Sequence, residues 1–324
     1  MVAGLEVHGA VVRYGDTTAV DGVTLTVPRG SVVGLLGPSG SGKSTLLRAV
    51  AGLEPLVSGT ISWDGEDLAG VKVHRRNFGM VFQDAQLFPT MTVGRNIAYG
   101  LGKLGREAQR ARVEEMLELV GLPGYEGRRT TELSGGQAQR VALARSLAPS
   151  PRALLLDEPL SALDTGLRRR LAEDLARILR ETHTTAVYVT HDHQEAYTIA
   201  DAVAVLSDGA LLQMDAPEAL RHAPASKQVA AFLGYRAFLT EHQARSLGWH
   251  GALPVGSVLG LGASSLVLDE AGVEVAVVDQ GYTPDDVEIG VRLPDGQRAT
   301  VSSPERIDAP TVRVRLVGGA VTPA

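Results

Sequence analysis

The chain has 324 residues, a formal net charge of −6, 44% apolar residues and no cysteine. This length suits two domains, and the apolar content excludes a disordered chain. The lack of cysteine excludes disulfides and thiolate metal sites, and the mild acidity provides no broad basic footprint for nucleic acid. The segment from Met1 to Ala10 has no basic start and is interrupted by Glu6, which argues against a secretory signal. Apolar runs such as residues 31–36 and 153–156 fall far short of the roughly 18 residues of a spanning helix, so any membrane attachment is expected through a partner.

In chain order, the apolar run at residues 31–36 reads as a buried strand. It is followed by Gly37, Pro38, Ser39, Gly40, Ser41, Gly42, Lys43, Ser44 and Thr45, and then by a helix with apolar positions Leu46, Leu47, Val50 and Leu53. Strand, glycine-rich turn and helix in this order make a phosphate-binding P-loop. Its glycines let backbone N–H groups point at an anion, Lys43 supplies charge to the phosphates, and the Ser44 hydroxyl is placed to ligate Mg²⁺. Val113, Met116, Leu117 and Val120 share one helical face and predict a helical insertion. Next, Leu133-Ser134-Gly135-Gly136-Gln137 precedes a strong helix over residues 138–148, with Ser134 as its cap and a second anion-ready helix start.

The run at residues 153–156 ends in Asp157 and Glu158, two carboxylates at the C-terminal edge of a buried strand, where open α/β sheets bind ligands. Asp157 fits a Mg²⁺ ligand, and Glu158 is free to orient or deprotonate a water. After Asp164, a stripe of Leu167, Leu171, Leu175 and Ile178 predicts an amphipathic helix whose Arg168 to Arg170 mostly face water. His191 follows another buried strand at residues 186–189; with His193 it makes a lone H-x-H, which is weak evidence for a metal. Helix periodicity fades near Gly234, so the expected domains are residues 1–234 and 235–324. In the second, Val287, Ile289, Val291 and Leu293, and again Val312, Val314 and Leu316, alternate as half-buried strands. Pro294-Asp295-Gly296 predicts a hairpin turn.

A P-loop, then Leu-Ser-Gly-Gly-Gln, then Leu-Leu-Leu-Asp-Glu-Pro, then a histidine after a strand resembles the ABC ATPases across residues 1–234. The resemblance implies a P-loop NTPase of the α/β class, with a RecA-like core, an antiparallel β subdomain and a helical subdomain. It implies ATP and Mg²⁺, and a head-to-tail homodimer in which Ser134, Gly135, Gly136 and Gln137 of one copy close over ATP held by the other. By the same resemblance Tyr14 stacks on adenine, Gln83 contacts Mg²⁺ and the attacking water, Asp164 couples the two sites, and His191 contacts the γ-phosphate.

Pro38-Ser39-Gly40-Ser41, residues 87–93 (LFPTMTV) and Leu160-Ser161-Ala162-Leu163-Asp164 are most similar to importers of sugars, polyamines, ferric iron, sulfate and molybdate. Two permease subunits at the cytoplasmic face of the membrane and, indirectly, an extracytoplasmic solute-binding protein are the partners this implies. The tail resembles a small OB-like β-barrel domain. It is short for the paired barrels of sugar importers, so ferric iron, a polyamine or thiamine ranks above a sugar; it reads Gly262-Ala263-Ser264 where relatives often have Arg-Pro-Glu, which argues against a regulatory role read from the tail. The alternatives are a soluble ABC ATPase acting on ribosomes or DNA, which would carry paired cassettes or a long coiled coil, and an exporter ATPase.

Overall fold

Residues 32–36, 153–157 and 186–190 are buried at every position, as the largely apolar strands of a parallel sheet must be when both of its faces are covered. A computed structural model describes residues 3–283 and 286–324, so Met1 and Val2, the start of the segment read above for a leader, lie outside it. The chain divides after Pro217 into two compact units, the second being Glu218–Ala324.

The first unit begins with β1 (Ala3–Tyr14) and β2 (Thr17–Pro28), then β3 (Val32–Leu36), α1 (Lys43–Ala51), β4 (Ser58–Trp63), β5 (Glu66–Asp67) and β6 (Phe78–Val81). The helical insertion follows as α2 (Val93–Ala98), α3 (Arg106–Leu119) and α4 (Gly135–Leu147). The core resumes with β7 (Ala153–Asp157), α5 (Thr165–Glu181), β8 (Ala186–Thr190), α6 (His193–Ile199), β9 (Ala202–Ser207) and β10 (Ala210–Asp215). Two sheets result: an antiparallel one of order β2-β1-β4-β5, and a six-stranded one of order β10-β9-β3-β8-β7-β6. The second is parallel except for its edge strand β10. One core joins both sheets to α1 through Leu46, Leu47 and Val50.

At the division stands α7 (Pro217–His222), followed by α8 (Lys227–Phe232), β11 (Ala237–Leu239), α9 (Glu241–Ser246) and β12 (Ser257–Leu261). The strands β13 (Leu266–Tyr282), β14 (Val287–Arg292), β15 (Arg298–Ser303), β16 (Thr311–Leu316) and β17 (Ala320–Pro323) complete the chain. They form antiparallel sheets of order β11-β12-β17 and β15-β14-β13-β16 around a single apolar core, which gives the small barrel-like domain. The expected hairpin is present: Gly296 has φ 85° and its N–H donates to Leu293 O at 2.9 Å, and Leu293 N–H donates to Gln297 O at 2.8 Å. Val312, Val314 and Leu316 face inward while their neighbours face water.

One sequence reading is corrected by the structure and two are refined. Helix α1 stops at Ala51 because Gly52 takes φ 82° and its N–H caps the helix on Ala49 O, so Leu53 lies past the helix. Helix periodicity fades in the tail as read, but one short helix remains: α9 starts with a capping box in which Thr240 and Gln243 satisfy each other's backbone N–H. Arg168 does not share the solvated face of Arg169 and Arg170; it folds inward onto loop carbonyls and carboxylates.

Candidate functional site

Strand β3 lies between β8 and β9, and the turn that leaves it curls back before α1. Gly40 and Gly42 make the curl with φ of 82° and 92°. A Cβ on Gly42 would strike the carbonyl of Ala19 on β2. Gly42→Ala is therefore expected to cost about 1–3 kcal/mol in a urea unfolding titration, and to loosen the loop. Gly42 caps α1 with no side-chain acceptor, so the first-turn amides of the helix are left to an anion.

Lys43 is 4% exposed. Its Nζ donates to Gly37 O and Pro38 O, each at 2.8 Å, and to Ser41 Oγ at 3.4 Å. Burial lowers its pKa, while the negative charges of Glu158 and Asp157 oppose that shift. The Ser44 hydroxyl donates to Asp157 Oδ1 at 2.6 Å, so P-loop and β7 converge on one point. Pro38, Ser39 and Gly40 form the exposed rim of the loop, and Thr45 lies in the first turn of α1.

Glu158 follows β7 with φ 45°, an uncommon backbone state for a residue with a side chain. Its N–H bonds to Val189 O of β8 at 3.1 Å, and its Oε2 lies 3.0 Å from Nδ1 of His191. P-loop, Asp157, Glu158 and His191 are thus gathered at the C-terminal edges of three adjacent strands, β3, β8 and β7, as sequence reasoning expected.

Gln83 is exposed beyond β6, the neighbour of β7, and its carbonyl accepts from Gln139 Nε2 at 2.5 Å. Tyr14 ends β1, is 47% exposed, and stands at the hairpin that leads into the Ala19 segment against Gly42. Ser134 caps α4 through a reciprocal box with Gln137. A Cβ on Gly136 would meet Leu167 and Leu171 of α5, and one on Gly135 would meet Leu163. The Ser134–Gln137 turn therefore lies beside the Asp164 loop. Among the described residues no hydrogen bond joins it to the P-loop. Asp164 caps α5, accepting from Leu167 N–H at 3.0 Å. His193 sits in α6, where burial lowers its pKa and its ring lies 6.3 Å from that of Tyr197.

Sequence reasoning missed Gln139, Arg168, Tyr188 and Glu195. Gln139 supports the Gln83 backbone, and the other three form a network, buried at Tyr188 and Glu195, that reaches the turn carrying His191 through Thr190. The arginine run masked Arg168, and Glu195 reads locally as an ordinary first-turn helix acid.

The profile of the ABC transporter family matches residues 20–161. Over 282 residues the chain is 47% identical to the Fe(3+) ions import ATP-binding protein FbpC of Streptomyces coelicolor, covering 86% of this chain and 81% of that protein. Over 291 residues it is 45% identical to the spermidine/putrescine import ATP-binding protein PotA of Acidothermus cellulolyticus, covering 88% and 74%. The solved structure of CbiO1 from Clostridium perfringens, part of the ABC transporter complex CbiONQ, superposes with a TM-score of 0.63 at 31% identity, over 67% of this chain and 90% of that one. The chain belongs to the ATP-binding subunits of ABC transporters. Within them it is an ATPase of the importer type, which was the first reading of the sequence.

Proposed function

We propose that two copies of this chain bind head to tail beneath two permease subunits at the cytoplasmic face of the membrane and drive the uptake of ferric iron delivered by an extracytoplasmic binding protein. The observation that carries the catalytic part is the convergence of Lys43, Ser44, Asp157, Glu158 and His191 at one sheet edge. The P-loop amides and Lys43 hold the ATP phosphates, and Tyr14 stacks on the base. The oxygen donors of Ser44, Asp157 and Gln83 suit a hard cation, and the short Ser44–Asp157 bond brings two of them together. Mg²⁺ held there would neutralise phosphate charge. Glu158, oriented by His191, accepts the proton of a water whose oxygen bonds to the γ-phosphorus as the bond to ADP breaks. Ser134, Gly135, Gly136 and Gln137 of the second copy supply the other wall of the site, since within one chain they face the Asp164 loop. Asp164 then lies at the contact between copies.

Ferric iron is favoured because, of the two relatives compared whose likeness reaches into the tail, FbpC is 47% identical over 282 residues and PotA 45% over 291. Disrupting the gene and measuring uptake of labelled ferric iron, spermidine and sulfate tests it. Only ferric uptake is expected to fall, with rescue by the wild-type chain and none by Glu158→Gln. Loss of spermidine uptake alone would reassign the cargo.

The tail supplies no catalytic group on this reading and acts in dimer contact or regulation. The cut that respects its packing falls after Pro217, because Tyr235 OH donates to Arg221 O at 2.5 Å and α8 packs on β17. A chain ending at Pro217 is expected to bind ATP and to recover its hydrolysis rate as protein concentration is raised, because dimer closure obeys mass action. A folded fragment that binds no nucleotide in an equilibrium titration would place part of the site in the tail.

A further inference from the structure

The loop after Glu158 and the turn carrying His191 are tied together by a side chain outside every ATP-site motif. Arg168 lies one turn into α5, and its Nη2 donates to Leu163 O at 2.8 Å and to Ser161 O at 3.3 Å. The same guanidinium faces two carboxylates: Nη1 is 3.6 Å from Asp192 Oδ2, and Nε is 3.7 Å from Glu195 Oε1. Glu195 is 5% exposed. Its Oε2 accepts from Tyr188 OH at 2.6 Å and from Thr190 Oγ at 2.8 Å. Thr190 Oγ in turn accepts the N–H of Asp192 at 2.9 Å, which closes the turn around His191.

A buried carboxylate keeps its charge only when it is paired and hydrogen-bonded. The Tyr188 and Thr190 hydroxyls satisfy one oxygen of Glu195, and Arg168 is the cation that faces the other. The Tyr188 hydroxyl stays protonated to do this, because burial first and the Glu195 charge second raise its pKa well above the ordinary value. Arg168 Nε is buried without a hydrogen bond, so a small approach of the two segments would convert the ion contact with Glu195 into a direct bond. A planar fork can hold two carbonyls and a carboxylate at once; a lysine ammonium cannot reproduce that geometry.

We propose that Arg168 is a positioning residue for hydrolysis. It locks residues 161–164 to residues 190–195, so that the Glu158–His191 pair and Asp164 move as one body when the second copy closes over ATP. The proposal rests on the roles given above to Glu158 and His191. A misplacement of about 1 Å in such a pair is enough to lower turnover about 100-fold, while nucleotide affinity, set at the P-loop, is untouched.

The test uses the full chain, with steady-state turnover and equilibrium ATP titration for Arg168→Lys, Glu195→Gln and the double variant. Exposed Arg169→Lys serves as control and Glu158→Gln as reference. Arg168→Lys is expected to lower kcat between about 10- and 100-fold with the Kd for ATP within about two-fold of wild type, and the double variant to be no slower than the slower single one. Wild-type kcat in Arg168→Lys, or kcat and affinity falling together, overturns the proposal. So does loss of folded protein in both Arg168→Lys and Glu195→Gln by near-ultraviolet circular dichroism, since the pair would then be a structural clamp. If Glu158→Gln itself turns over normally, it is the catalytic reading that falls. If Glu158→Gln is inactive while Arg168→Lys is at full rate, only the positioning role falls.

Discussion

Glu158→Gln is expected to bind ATP as the wild type does and to hydrolyse it about 10²-fold more slowly or worse. The substitution keeps the volume of the side chain and its place at φ 45° after β7, with the N–H still on Val189 O. What it removes is the carboxylate that faces His191 Nδ1 at 3.0 Å and would accept the proton of the attacking water. A positioned acid–base group contributes about 10²–10⁴-fold, so the loss belongs in kcat. Because binding survives while turnover stops, the ATP-bound dimer should accumulate, and light scattering should find it with ATP and lose it with ADP. Single-turnover hydrolysis near the wild-type rate would remove Glu158 from the chemistry.

Lys43→Ala should act differently, on binding and turnover together. The ammonium holds Gly37 O and Pro38 O at 2.8 Å, so its loss both deletes a charge aimed at phosphate and strips the loop of the cross-link that keeps it curled. A hydrogen bond to a charged group contributes about 1.5–3 kcal/mol, which corresponds to roughly 10- to 100-fold in the Kd for ATP. Adenosine, which has no phosphate, should bind about as before. Calorimetric titration with both ligands separates the two effects, and an unchanged affinity for ATP would contradict the P-loop assignment.

The sites that were legible in the sequence are those whose chemistry is local. Gly40 and Gly42 announce a turn with positive φ, Ser134 with Gln137 and Asp164 with Leu167 announce helix starts, and continuous apolar runs announce β3, β7 and β8. The P-loop and the Asp157–Glu158 pair come together because open α/β sheets align the C-terminal ends of their strands. Arg168 was illegible because its partners Asp192 and Glu195 belong to another element, and nothing in a helix pattern distinguishes the inward arginine of a run of three. Leu53 continued the period of α1 but lost to the left-handed Gly52, a reminder that a cap outranks one more apolar residue. Thr240 and Gln243 did carry the capping-box spacing of α9, a signal that the prevailing strand alternation of the tail obscured. The excursion of β13, where Leu268 and Val273 both pair with Val314, is a matter of strand register that alternation alone does not encode.

The order of strands in the six-stranded sheet also sets a gradient of stiffness. β3, which bears the P-loop, is bonded on both sides, as are β8 and β7. β6, which leads to Gln83, is an edge strand bonded to β7 alone, and three of its four residues are only partly buried. Elements with few partners open at lower free energy than those in the middle of a core. The phosphate grip is thus built on the rigid centre of the sheet and the Gln83 segment on its compliant margin. Amide hydrogen exchange should run faster along β6 than along β3. A load applied at Gln83 will be taken up by bending there before it disturbs the phosphate cradle, so that the sheet works as a lever clamped at one end and free at the other.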